Sequence, residues 1–253
     1  MNRNFQIHFK RVTTKTGHLM VSVIDSIKLP KINYSTRSMI VADTPGEYTK
    51  VPLFSWNHKL LIYQYCATVL KFFSSNELKN ALVLGGGGGT VPLYLLQNYS
   101  NVKVDIIEKS ITIIKLSKKY FLNKYLKTNK LTFIQADALQ YQHFDKQYDF
   151  VFCDLFIRDC AVPFLLEDDF IKKLHRITAR KGILIINAGS IPKDTDLLFL
   201  SKYGNMFQKV YKICDGKASV YLCCNREINI SSYDGIRFNK YDRYYLEQIK
   251  NDI

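Results

Sequence analysis

Five consecutive glycines lie between two apolar segments of this chain, in ALVLGGGGGTVPLYLL over residues 81–96. The residues before Gly85 have the composition of a buried strand, and those after Gly89 predict a helix. Glycine accepts left-handed backbone angles and lets a ligand approach the main chain without a Cβ clash. A glycine turn between a strand and a helix is therefore typical of an α/β fold that binds its ligand beyond the strand ends.

The chain after this turn alternates apolar strands with helices. Strands are predicted at 81–84, 102–108, 131–137, 148–154 and 182–189. Helices are predicted at 91–97, 110–121 and 168–178. The segments 207–213 and 218–224 predict a terminal strand pair. This alternation indicates a Rossmann-like α/β fold, in which a mostly parallel sheet carries helices on both faces.

The N-terminal part of the chain has a different character. FQIHF and HLMVSVI predict two strands with a turn at Gly17, and the prolines at 30, 45 and 52 then predict a long loop. A helix is predicted at 58–73. We therefore expect a small β-rich region at 1–55 and a Rossmann-like domain at 56–253.

Acidic residues follow the predicted strands next to the glycine turn. Glu108 ends the second strand, 19 residues after Gly89, where a carboxylate can bind both ribose hydroxyls of a nucleoside. Asp137 ends the third strand, within reach of an adenine edge, and Asp154 ends the fourth. The turn matches neither the G-x-G-x-x-G fingerprint nor a P-loop. These strand ends therefore predict a nucleoside site that is not a dinucleotide site.

Charge and composition restrict the partners that we expect. The formal net charge is +14, but the lysines are dispersed along the chain, so we expect no nucleic-acid partner. No apolar run approaches the ~18 residues that span a bilayer, and the N-terminus lacks the apolar segment of a signal peptide. The six cysteines form no C-x-x-C pair. We expect a cytoplasmic protein with no membrane contact and no metal site.

From Tyr63 to about Cys224 the chain resembles the spermidine synthase-like branch of the AdoMet-dependent transferases, where AdoMet is S-adenosyl-L-methionine. The GGGGGT turn is similar to the G-G-G-D-G-G loop of that family. YQYC, 18 residues before Ala81, resembles a family motif of tyrosine, glutamine and glutamate. DLFIRDCAVPFLLEDDF, from Asp154 onward, resembles the family pattern D-x-F-x-x-D-x-x-P. The β-rich N-terminus fits the small leading domain of the family.

The resemblance implies roles for individual residues. It implies an AdoMet-type nucleoside held by Gln64, Gly85, Gly86, Gly87, Gly88, Gly89, Glu108, Asp137, Ala138 and Asp154. It also implies that Asp154 faces the reacting amine, with Asp159 as a second catalytic candidate. The acceptor is expected to be a small molecule, and a homodimer is left open.

The residue at position 88 bears on which donor is used. Aminopropyltransferases of the family carry an acid there, whereas this chain has Gly88. An acid beside the AdoMet carboxylate would cost ~1–4 kcal/mol at a separation of ~4 Å. Gly88 therefore favours AdoMet itself, and methylation or other alkylation of a small amine. Two alternatives stay open: aminopropyl transfer from decarboxylated AdoMet, and a catalytically inactive homologue that binds a nucleoside.

Overall fold

The structure is a computed structural model with five α-helices and fourteen strands in the part of the chain that it describes. The described residues are 5–16, 19–29, 35–41, 47–52, 64–74, 76–85, 87–142, 146–157, 160–215, 218–228 and 237–241.

An eight-stranded mixed sheet forms the centre of the molecule, in the order β14-β12-β13-β11-β8-β5-β6-β7. Its parallel strands are β5 (Asn80–Leu84), β6 (Lys103–Glu108), β7 (Leu131–Gln135), β8 (Tyr148–Cys153) and β11 (Thr178–Gly189). Its antiparallel end is formed by β12 (Lys209–Asp215), β13 (Ala218–Cys224) and β14 (Arg237–Tyr241). The predicted Rossmann-like fold and the terminal strand pair are confirmed.

Helices cover this sheet on both faces. They are α1 (Gln64–Leu70), α2 (Thr90–Asn98), α3 (Ile111–Tyr120), α4 (Asp168–Ile177) and α5 (Lys193–Gly204). Because side chains alternate along each strand, neighbouring residues of β5 enter different cores. Val83 packs with α1, α2 and α3, whereas Leu82 packs with α4 and α5. Two apolar cores therefore hold the strand ends of the sheet in a fixed arrangement.

A separate antiparallel sheet precedes this domain. It contains β1 (Phe5–Thr16), β2 (Leu19–Leu29), β3 (Thr36–Val41) and β4 (Glu47–Pro52), in that order. The expectation of a long loop after the second strand was wrong, because β3 and β4 occupy much of that segment. Pro52 is the last residue of β4, and β3 pairs along β2 and buries Met39 and Val41.

Hydrogen bonds join this sheet to the central domain. The Arg37 guanidinium, held by the buried Asp25, donates to the Tyr120 carbonyl at 3.0 Å. Thr90, at the start of α2, donates to the Lys50 carbonyl at 3.3 Å. The leading sheet is thus fastened beside the helices that flank the glycine turn. A domain boundary near residue 55 stays a prediction, because residues 53–63 lie outside the described part.

Several other elements differ from the sequence expectations. Helix α5 and strand β14 were not predicted, and a short pair, β9 (Phe156–Ile157) with β10 (Cys160–Ala161), follows β8. Of the helix expected at 58–73, the structure describes Gln64–Leu70 followed by a turn. No helix within the described residues is both long enough and apolar enough to cross a membrane.

Candidate active site

The order of the parallel strands creates the site. Strand β5 lies between β6 and β8: the chain adds β6 and β7 on one side of β5 and then adds β8 and β11 on the other, so the strand order switches beside β5. In open α/β sheets ligands bind at the carboxyl ends of the strands at such a switch point. The pairing is in register there: Leu84 lies opposite both Ile107 and Cys153, and Cys153 lies opposite Ile186. The residues that follow these strands therefore come together.

The glycine turn closes against the neighbouring strands. Gly85, Gly87 and Gly89 have left-handed φ angles of 77°, 46° and 93°. The Gly85 N–H donates to the Ile107 carbonyl at 2.9 Å, and a Cβ on Gly85 would lie 2.3 Å from the Asp154 carbonyl oxygen. The buried Ser117 hydroxyl on α3 donates to the Gly87 carbonyl at 2.6 Å. Gly85 is thus required both by its φ angle and by its close packing against the Asp154 backbone.

Gly88 differs from these neighbours. It is buried, but its φ is not in the left-handed region. A side chain at position 88 would therefore meet no strain from the backbone angle itself. This makes position 88 suitable for a substitution that tests the donor.

Glu108 lies at the end of β6, directly beside the turn. Its carboxylate accepts the Ser110 N–H at 2.8 Å and further backbone hydrogen bonds from Gly87 and Lys109. Burial raises the pKa of Glu108, and the three N–H groups oppose that rise because they favour the charged form. The carboxylate is thus anchored to the glycine turn at the position predicted for ribose binding.

Asp137 lies two residues beyond the end of β7. One carboxylate oxygen accepts the Leu139 N–H at 3.0 Å, and the other pairs with the exposed Lys109 ammonium at 2.9 Å. The Lys109 hydrogen bond is the main reason that the pKa of Asp137 is lowered. Ala138, the next residue, is buried. One oxygen of Asp137 is therefore fixed within its own turn, and the other is held only by a surface pair.

Asp154 lies where β5, β8 and β11 meet. Its N–H donates to the Leu84 carbonyl at 2.9 Å, and its Oδ1 accepts the Asn187 amide at 2.9 Å. Asn187 is itself oriented by the Gly189 N–H at 3.1 Å. Asp154 is partly exposed to solvent. Desolvation nevertheless raises the pKa of its carboxyl to about 7, although the Asn187 hydrogen bond acts in the opposite direction. A carboxyl of this kind can accept a proton near neutral pH.

The structure brings Gly85, Gly87, Gly89, Glu108 and Asp154 together around the end of β5 and places Asp137 further along the same edge. The backbone of Gln64 opens α1, but its side chain is not described. Gly86 and Asp159 lie outside the described residues, so their predicted roles stay predictions.

Three polar residues that hold this site were not predicted. Asn187 lies near the carboxyl end of β11, directly after the last residue that pairs with β8, so a search extended to polar residues near the strand ends would have found it. The sequence gives a weaker indication for Lys173, because a charged residue occupies a core-facing position of α4. Ser117 left none, because its hydrogen bond to Gly87 joins residues 30 positions apart.

The chemistry of these groups fits an AdoMet-type nucleoside. Carboxylates at the ends of β6 and β7 suit ribose hydroxyls and an adenine amino group, and the glycine turn leaves the backbone accessible to a ligand. Within the described ranges, no three His, Cys, Asp or Glu residues are grouped so that they could hold a metal ion.

Known proteins carry related sequences. The family described as "Spermine/spermidine synthase domain" matches residues 60–233. A polyamine aminopropyltransferase from Methanocaldococcus jannaschii is 24% identical over 192 residues, which cover 73% of this chain and 59% of that protein. One from Lachnospira eligens is 30% identical over 128 residues, covering 47% of this chain and 43% of that protein. The chain thus spans about half the length of the curated relatives it matches.

Solved structures share the fold. A probable spermidine synthase from Corynebacterium glutamicum has a TM-score of 0.75 at 15% identity, over 94% of this chain and 92% of that one. A spermidine synthase in complex with the transition state analogue AdoDATO has a TM-score of 0.56 at 11% identity, over 86% and 72%. Human methyltransferase-like protein 13, in complex with SAH, has a TM-score of 0.54 at 16% identity, over 74% and 86%. At such identities the similarity concerns the fold alone.

The names of the curated relatives bear on the donor. Both relatives reported above are named polyamine aminopropyltransferase, so they give no specific support to the methyl transfer that Gly88 predicted.

Proposed function

We propose that this chain, which belongs to the spermine/spermidine synthase family, transfers an aminopropyl group from decarboxylated AdoMet to a small amine. The observation that carries the proposal is Asp154, a carboxyl of raised pKa beside the glycine turn at the switch point of the sheet. The aminopropyltransferase names of the relatives support the choice of transferred group.

The donor supplies a sulfonium: the amine nitrogen forms a bond to the attached carbon of the aminopropyl group, the bond from that carbon to sulfur breaks, and the sulfur leaves as the neutral thioether 5′-methylthioadenosine. An amine attacks only in its unprotonated form, so the site needs a group that orients it and accepts its proton. Asp154 has the chemistry for this role, because a carboxylate accepts hydrogen bonds from an ammonium and its pKa of about 7 suits proton transfer at neutral pH. Asn187 keeps one carboxylate oxygen in place and leaves the other available to the amine.

The nucleoside would be held by the neighbouring strand ends. Glu108 would accept hydrogen bonds from the ribose hydroxyls, and Asp137 would accept one from the adenine amino group. The pair between Asp137 and the exposed Lys109 is weak, because surface ion pairs contribute only ~0–1 kcal/mol. Displacement of Lys109 by a base would therefore cost little.

Methyl transfer from AdoMet is the second candidate, and Gly88 favours it. Because Gly88 has no carboxylate, nothing at position 88 repels the carboxylate of AdoMet. The N–H groups of the turn can interact with an anion instead. The two candidates share Asp154 as base and differ in the donor alone.

One experiment separates them. The purified chain is incubated with a panel of primary amines and diamines in the presence of either AdoMet or decarboxylated AdoMet. The masses of the products are then measured by mass spectrometry. We expect products that carry an added aminopropyl group with decarboxylated AdoMet only. Asp154→Asn should abolish product formation while donor binding, measured by calorimetry, persists. Methylated products from AdoMet would favour the second candidate, and donor binding without any product would favour an inactive homologue.

Gly88→Asp supplies a second test of the donor. The variant should bind AdoMet about tenfold or more weakly, because two carboxylates would lie close together. Binding of decarboxylated AdoMet should be unchanged or tighter. An equal loss for both donors would mean that the side chain disturbs the turn instead of selecting the donor.

A further inference from the structure

A lysine lies at a position of α4 where the helix pattern requires an apolar residue. The buried residues of α4 are Phe170, Ile171, Lys173, Leu174 and Ile177, which form one core-facing stripe. Only 8% of the Lys173 surface is exposed. A buried ammonium is unfavourable unless it is hydrogen-bonded, so this residue needs a compensating interaction.

That interaction is with the turn that follows Asp137. The Lys173 ammonium donates to the Ala138 carbonyl at 2.9 Å and to the Leu139 carbonyl at 2.8 Å. It also lies 5.6 Å from the centre of the Phe170 ring, where a cation is attracted. Burial lowers the pKa of Lys173, and hydrogen bonds to carbonyl oxygens favour the charged form.

Asp137 holds the same two peptide groups from their opposite side. The N–H of Leu139 donates to an Asp137 carboxylate oxygen at 3.0 Å, and the N–H of Gln140 donates to the Asp137 carbonyl at 3.1 Å. In a trans peptide the C=O and the N–H point in opposite directions. Each of the two peptides is therefore held by Lys173 at its oxygen and by Asp137 at its nitrogen.

We propose that Lys173 is a positioning residue for base recognition: it orients the peptides after Ala138 and Leu139, and through them it fixes the Asp137 carboxylate towards the adenine amino group. This proposal rests on the proposed function, because it requires a nucleoside at the end of β7. Lys173 does not itself touch the nucleoside. Its contribution is to selectivity for the base.

The test compares two neutral nucleosides, 5′-methylthioadenosine and its inosine counterpart, in which a carbonyl replaces the amino group. Because neither carries the transferred arm, the comparison does not depend on which donor is used. Binding is measured by calorimetry for the wild type, Lys173→Met and Lys173→Arg. Lys172→Met is the matched control, since Lys172 is the exposed neighbour on the same helix. Amide hydrogen exchange of the ligand-free proteins is measured in parallel.

We expect the wild type to prefer the adenine form by about tenfold or more, the discrimination that a hydrogen bond to a charged group supports. Lys173→Met should lose most of this preference, and the Leu139 and Gln140 amides should exchange faster while α4 stays protected. Lys173→Arg should restore the preference in part, and Lys172→Met should match the wild type.

Three results would overturn the proposal. If Lys173→Met is merely less stable and keeps the full preference for adenine, Lys173 has a structural role only, and the proposed function stands. If the wild type binds neither nucleoside, the proposed function fails as well. Faster exchange in Lys173→Met without loss of the preference also counts against a role in recognition.

Discussion

Replacing Asp154 with asparagine should stabilise the folded chain at alkaline pH while it abolishes transfer. The pKa of this carboxyl is about 7, against an ordinary value of about 3.9. The difference of about three units corresponds to an upper limit of about 4 kcal/mol, at about 1.36 kcal/mol per unit. Because Asp154 is partly exposed, screening by solvent should reduce this contribution to the free energy of unfolding to about 2 kcal/mol.

The sign follows from proton binding. The folded chain binds the Asp154 proton more tightly than the unfolded chain does, so wild-type stability falls as the pH rises from about 4 to about 7. Asparagine does not titrate, and its side-chain oxygen can still accept the Asn187 hydrogen bond. The variant should therefore match the wild type near pH 4 and exceed its free energy of unfolding by about 2 kcal/mol near pH 8.

Urea unfolding at a series of pH values measures this difference. Asp169→Asn is the control, because Asp169 is an exposed carboxylate on α4 whose removal changes the net charge equally. A stability difference that does not change with pH would refute the argument that burial destabilises the charged form of Asp154. So would a wild-type pH–activity profile whose acidic limb lies near pH 4.

Three further perturbations probe the same site. Asn187→Leu removes a hydrogen bond that favours ionised Asp154, so the acidic limb of the kcat/KM profile should move up by about one pH unit. An unchanged limb would exclude Asp154 as the base. Glu108→Gln should weaken nucleoside binding about tenfold in calorimetry, since a neutral amide replaces the carboxylate that would meet the ribose hydroxyls; equal affinity would place the nucleoside elsewhere. Gly85→Ala should lower the free energy of unfolding by more than the ~1 kcal/mol that a left-handed backbone angle costs a residue other than glycine, because the new Cβ would lie 2.3 Å from the Asp154 carbonyl oxygen. A smaller loss in urea unfolding would mean that this packing is loose.

Sequence patterns alone were sufficient to predict the fold class and the family, and these two expectations are confirmed. The AdoMet-type donor that they also predicted remains part of the proposed function. Local patterns include the alternation of strands and helices, the turn after β5 and the acid at the end of β6, and chain order fixes which of them lie at a strand end. Parallel pairing then brings such ends to one edge of the sheet. This is why Glu108 and Asp154 could be selected from the sequence.

The N-terminal strands show where local patterns fail. Residues 36–41 form β3 because β2 offers them hydrogen bonds and a buried face, and no property of the segment alone records that partner. Strand propensity depends on such context, so prolines nearby were enough to predict a loop.

How the site is held depends on contacts between distant elements, which the sequence does not reveal. Asn187 reaches Asp154 across 33 positions, and Lys173 reaches Ala138 across 35. Each of these contacts depends on strand register and on the depth at which a helix packs, and both are set by the cores on the two faces of the sheet. The sequence therefore identified carboxylates at the strand ends, whereas packing between distant elements determined how each carboxylate is oriented and how readily Asp154 takes a proton.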